Sequence, residues 1–129
     1  MAKVPGYTIG TSLQAMALEF KLNLGEELTQ GQILQLIQSA CRRYLLDVPN
    51  LLFDSKDGLF GEWKEYGGRS TLIFHRKGYT GLTALHEFAH YLDFEENGSS
   101  RHTNRFRDLH VKVLKEYEAG RIRLRKVNA

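Results

Sequence analysis

Residues His86-Glu87-Phe88-Ala89-His90 form the pattern HExxH, and they sit in a stretch, 80–96, whose apolar positions Leu82, Leu85, Phe88, Ala89 and Leu92 recur at helical spacing. A helix turns about 100° per residue, so His86 and His90 project within about 40° of each other, one turn apart, with Glu87 on the adjoining flank. Two imidazoles placed this way can grip one metal ion and leave a carboxylate beside it. With five His and ten Glu in 129 residues, a shuffled chain would hold this pattern about once in a hundred times, so the helical context carries weight. Thr80 is positioned to cap the start of the helix and Asn97-Gly98 to stop it, which leaves the motif mid-helix.

Zn²⁺ takes neutral imidazole nitrogen well, and a catalytic site usually uses three protein ligands and keeps a further position open, where the pKa of water falls to about 7. Glu87 would accept the proton of a water attacking a carbonyl and pass it to the leaving amine. The third ligand has to come from elsewhere. Glu95 and Glu96 point about 140° and 120° away from His90 on a continuing helix and read as solvated. Asp93 shares the histidine face but lies a turn farther along, which suits support of the site better than ligation. His102 is the strongest candidate. A helix running to Gly98 rises about 12 Å past His90, and the four steps back to His102 span at most about 13 to 14 Å, so the return is taut and favours a slightly earlier helix end. His110 lies among Phe106, Leu109, Val113 and Leu114 on the next helical stretch; it and His75, on an expected strand, read as packed or surface histidines.

The HExxH segment followed after eleven residues by His102-Thr103-Asn104-Arg105-Phe106 resembles the SprT-like family of zinc metallopeptidases, in which a third histidine opens an HxxxF segment on the next helix. Residues 69–75, RSTLIFH, are similar to the strand such domains place before the active-site helix, and the resemblance spans roughly residues 51–117. It implies a compact single-domain zincin fold with His86, His90 and His102 as metal ligands and Glu87 as catalytic base. Residues 86–93, HEFAHYLD, are also similar to the zinc helix of lethal-factor-like and Mlc-titration-factor-like gluzincins, which would assign the third ligand to Glu116 or Glu118.

The remaining pattern is α+β. Helices are expected over 11–20 and 30–46, the second with Ile33, Leu36, Ile37, Ala40 and Tyr44 at helical spacing and ended by Pro49, then a strand pair at 51–54 and 60–66, and after the Gly67-Gly68 turn a third strand over 69–76. These make a small, mostly antiparallel sheet packed on the HExxH helix and flanking helices. The edge strand that zincins place ahead of the metal helix pairs with an extended substrate, and Trp63, Tyr66 and Phe74 are candidates to line that groove. Candidates to stabilise a developing oxyanion are Tyr79, Tyr91, Arg101, Arg105 and His110.

Length fits one domain, 1–129, with 121–129 a short basic tail. Cys41 falls on the Leu34, Ile37, Leu45 face of the second helix and reads as a buried small hydrophobe. With a lone cysteine, no signal-like N-terminus and no apolar run near 18 residues, the expected setting is cytoplasmic, without membrane contact. Charge is uneven: residues 101–129 carry nine Lys or Arg against three Asp or Glu, while residues 1–100 carry nine against twelve. Arg121, Arg123, Arg125 and Lys126 form a basic stretch interleaved with Ile122, Leu124 and Val127, a candidate DNA contact through the phosphate backbone, or else a solvated chain end. The expected activity is a zinc-dependent metallopeptidase acting on a protein or peptide substrate; the resemblance to SprT-like proteases, which include members that act on proteins attached to DNA, adds DNA-associated proteins as a candidate substrate class. The rival from another class is a non-catalytic, zinc-stabilised zincin-fold module binding nucleic acid or a regulatory protein.

Overall fold

A computed structural model describes residues 10–55 and 59–124. Four α-helices and a three-stranded sheet share one core: α1 (Leu13–Lys21), α2 (Gln30–Tyr44), β1 (Asn50–Phe53), β2 (Gly61–Tyr66), β3 (Arg69–Phe74), a 3₁₀ turn (Arg76–Gly78), α3 (Gly81–Asn97) and α4 (Asn104–Glu118). Each helix begins on a hydroxyl that accepts an otherwise orphaned backbone N–H. Ser12 caps α1, Thr80 α3 and Thr103 α4, while Thr29 and Gln32 close a reciprocal capping box on α2. No helix among the described residues is long and apolar enough to cross a membrane.

α2 ends at Tyr44, before the expected stop at Pro49, because Leu45 turns into the left-handed region (φ +57°) and the N–H groups of Leu45 and Leu46 fold back onto Arg42 and Cys41. A non-glycine residue there costs about 1 kcal/mol or more, and Leu45 is also left 92% exposed. Inside the same helix Ile33, Leu36, Ile37, Ala40 and Cys41 face the core; burial pushes the Cys41 thiol up to about 12, so it is an inert apolar group.

The sheet corrects the expected pairing. Its order is β1-β3-β2, with β1 parallel to β3 and β2 antiparallel to it. Gly67 and Gly68 both take positive φ (+57° and +83°), the requirement of a tight two-residue hairpin, so β3 folds directly against β2 and β1 is left to pair on its other side. The sheet is therefore mixed, and the strand ahead of the HExxH helix is central. β3 is the strand whose alternate residues Ser70, Leu72 and Phe74 are buried and whose outward residues Thr71 and Ile73 are half-covered, as a central position demands.

α3 runs through the middle of the molecule. It packs on the sheet, α2 and α4, and every residue from 81 to 93 is buried, so its polar flank is as enclosed as its apolar one. Leu85, Phe88 and Leu92 meet Leu72 and Phe74 of β3, the inner face of α2, and Val113 and Leu114 of α4 in one cluster. Burying side chains of this size contributes about 1.5 to 3 kcal/mol each before conformational entropy is counted. Ile122, just beyond α4, is 1% exposed and belongs to the same core, so the basic stretch starts as docked chain and not as a frayed end. Arg125, Lys126 and Val127 lie outside the described residues.

Candidate functional site

The two histidines of α3 point away from the aliphatic core toward the junction with α4. α3 continues to Asn97 and ends on Gly98 in the left-handed conformation (φ +80°), so it does not stop early to let His102 return. The intervening loop still brings His102 back: its Nε2 lies 3.1 Å from Nε2 of His90. The imidazoles themselves supply reach that a backbone estimate leaves out. A ligand nitrogen from each of His86, His90 and His102 falls within 4.8 Å of the others. Two nitrogens bound tetrahedrally to zinc stand about 3.3 Å apart, which the His90–His102 spacing nearly matches.

The loop that delivers His102 is braced from below. Asp93, fully buried, accepts hydrogen bonds from Arg105 Nε (2.8 Å) and Asn97 Nδ2 (3.0 Å), and Arg105 Nη2 donates to the Ser99 carbonyl (3.2 Å). Asp93 thus supports the site without touching the ligands. On His90, Nδ1 lies 2.8 Å from Ser100 Oγ, leaving Nε2 to face His102; such a partner fixes ring orientation and tautomer. Phe106 stacks on His90 with ring centroids 4.0 Å apart, and Trp63 lies near-parallel to the same imidazole at 5.9 Å.

All three imidazoles are held neutral, the form that ligates metal. Burial, then His110, His90 and His102, keep His86 well below the usual range. Burial, then His102 and His110, take His90 down to about 3. Burial, then Arg107 and His110, lower His102. Glu87 is enclosed beside them. Burial first, and the negative charge of Glu62 second, raise its carboxyl to about 8, and a cation held by the histidines would draw it back down. The close approach of β2 depends on Gly61, where a Cβ would sit 2.5 Å from Thr83 Cγ2 and 3.3 Å from Glu87 Cγ.

The alternative ligands go elsewhere. Glu116 binds Arg43 and Arg121, and Glu118 binds Lys21, at the far end of α4. Glu95 and Glu96 are exposed. His110 is packed, fully buried against His86 (ring centroids 5.0 Å) and 3.6 Å from Glu19. Sequence reasoning missed Glu19, an acid buried to 1% behind the site whose pKa burial raises while His110 opposes the rise. Its position four residues after Ala15, on the inward face of α1, was the available signal. Of the proposed groove residues, Trp63 is beside the site and donates from Nε1 to Ser70 Oγ (3.0 Å), Tyr66 is 70% exposed, and Phe74 is wholly buried on Phe53. The sheet edge beside α3 is accordingly β2 and not β3.

His75, read as a packed or surface histidine, is packed: it follows β3 and is clamped between Asp54 Oδ1 and Glu62 Oε2, each at 2.7 Å. Burial works to lower its pKa, but hydrogen bonds and charge from the two carboxylates outweigh it and the net shift is upward. A raised folded pKa means that this clamp contributes its full stability below the unfolded value of about 6.5 and loses it as pH rises through the folded value. The stability difference between the wild type and His75→Gln, measured by urea unfolding without metal, should be largest between about pH 5 and 6.5 and shrink toward pH 9. A difference that grows with pH would refute the clamp. The ligand histidines titrate in both proteins and cancel from the comparison.

At the opposite end, Gln35, Gln38, Ser39 and Arg42 of α2 line a cleft of about 530 Å³ with Arg121 and Arg123. Ser39 Oγ accepts the backbone N–H of Arg123 (2.8 Å), fixing the basic stretch against α2. Comparisons with protein-family models, curated proteins and solved structures return no match to this chain.

Proposed function

We propose that this chain is a zinc-dependent metallopeptidase of the SprT-like kind, with His86, His90 and His102 holding the metal and Glu87 as general base. The observation that carries the reading is the convergence of three neutral imidazoles beside an enclosed carboxylate. When bound there, zinc supplies Lewis acidity toward a water and a peptide carbonyl. Glu87 takes the proton of the attacking water and delivers it to the leaving nitrogen. β2, an edge strand beside α3 among the described residues, offers its outer edge to an extended substrate. Of the five candidates for the oxyanion, Tyr91 donates to the Asp47 carbonyl, Tyr79 to the Asp54 carbonyl, Arg105 serves Asp93 and His110 is enclosed against Glu19. Arg101, exposed and next to His102, is the one left for that role.

A structural zinc site closes with four protein ligands. Among the described residues no fourth Cys, Asp or Glu joins the three histidines, which favours catalysis over a purely metal-stabilised module. The DNA-associated part of the reading is supported by the arginines of the α2 cleft. Zinc-loaded protein should hydrolyse an unfolded protein substrate, lose the activity to a chelator and regain it with zinc. A DNA-tethered substrate should be cut faster than a free one at low salt, with the advantage fading at physiological salt. Absence of hydrolysis from fully zinc-loaded protein would sink the peptidase reading.

A further inference from the structure

Thr11 and Gly10, ahead of α1, lie 75 positions from His86 and 92 from His102 in sequence, respectively, and against them in space. Thr11 Oγ1 is 3.5 Å from His86 Nδ1, at the long end of hydrogen bonding. Gly10 presses on His102 so closely that a Cβ there would stand 2.4 Å from Cγ and Cδ2 of the imidazole and 2.8 Å from its Cβ. Those are the near atoms of the His102 side chain, so turning the ring does not clear them; the whole residue would have to move. His102 itself sits in the irregular loop between α3 and α4 and is exposed, unlike His86 and His90, which the core encloses. Its place depends on neighbours.

We infer that Gly10 and Thr11 are positioning residues of the metal site, seating His102 and His86, and that metal binding is thermodynamically coupled to docking of this segment. The inference rests on the metal-centre reading above. Two ligands are prearranged by α3, and the third is on a loop whose ordering must be met when the ion binds. A segment packed against that loop supplies part of the ordering in advance. By reciprocity, the ion must then hold the segment down as strongly as the segment aids the ion.

The test uses the full chain and Zn²⁺, with affinity measured by competition against a chromophoric chelator. Gly10→Ala should weaken zinc binding by about 10- to 100-fold, the range for groups that orient metal ligands. Gly120→Ala is the control, because Gly120 has a similar positive φ (+78° against +90°) but open space around it, and lies beyond the far end of α4. It should carry a comparable backbone penalty and leave zinc affinity unchanged. Co²⁺ absorption should report altered coordination in Gly10→Ala alone. Where Gly10→Ala fails to fold, hydrogen exchange on the wild type decides: zinc should slow exchange of the amides at 11–13, and should not do so in His102→Ala. Wild-type zinc affinity in Gly10→Ala, or exchange at 11–13 indifferent to zinc, would overturn the inference. A wild-type chain that binds no zinc overturns the metal centre and this coupling together.

Discussion

Replacing Glu87 with Gln should abolish peptide hydrolysis while leaving fold and zinc content intact. The loss should be at least 10²-fold, the usual minimum for removing a general base, and several orders of magnitude if Glu87 handles both proton transfers. The fold should hold because Gln matches the shape of a protonated carboxyl. Without metal, burial and Glu62 already raise Glu87 to about 8, so its neutral form is the one the apo site accommodates at neutral pH. Glu87→Gln therefore removes chemistry without emptying space or stranding a charge. The measurement is the single-turnover rate of zinc-loaded variant against wild type, with metal per chain determined on the same samples. Undiminished hydrolysis by Glu87→Gln would assign the proton transfer to another group.

The second large effect concerns the triad. His86→Ala, His90→Ala and His102→Ala should each lower zinc affinity by orders of magnitude, since each removes one of three protein ligands. His102→Ala is the most informative because His102 is exposed, whereas truncating His86 or His90 empties space inside the enclosed core. Zinc should raise the Tm of the wild type, as any ligand selective for the folded state does, and leave that of His102→Ala nearly unmoved. Glu116→Ala and Glu118→Ala should retain zinc, because those carboxylates serve Arg43, Arg121 and Lys21 at the other end of α4. Should Glu116→Ala lose zinc while His102→Ala keeps it, the triad is wrong and a gluzincin-like site takes its place.

The local features of the site were legible because they follow from short-range rules. The four-residue spacing of His86 and His90 puts them on one flank of a helix whatever that helix packs against, and Thr80 and Gly98 bound it as their cap chemistry requires. Leu36, Ile37 and Ala40 announced the inner face of α2 by period, and Gly67-Gly68 announced a hairpin by its tolerance of positive φ. Long-range partners had no such signal. Glu62, His75 and Asp54 are spread over 21 positions and meet only because β3 lies between β1 and β2. A pairing of β1 with β2 satisfies the same alternation, so strand order was open until the strands were packed.

The sequence by itself determined which side chains are candidates to hold a metal and move a proton, since HExxH on a helix and the downstream His102 are properties of residue type and spacing. Only the tertiary structure decided how those side chains behave. Enclosure of α3 on every side makes its imidazoles neutral and its glutamate hard to ionise, an effect of desolvation that depends on what surrounds a residue and not on what precedes it in the chain. The convergence of His102, and not Glu116, on His86 and His90, the Asp93–Arg105 brace beneath its loop, and the close approach of Gly10 are likewise matters of proximity among distant segments. Periodicity records which face of an element is apolar; it carries no information about which other face will cover it.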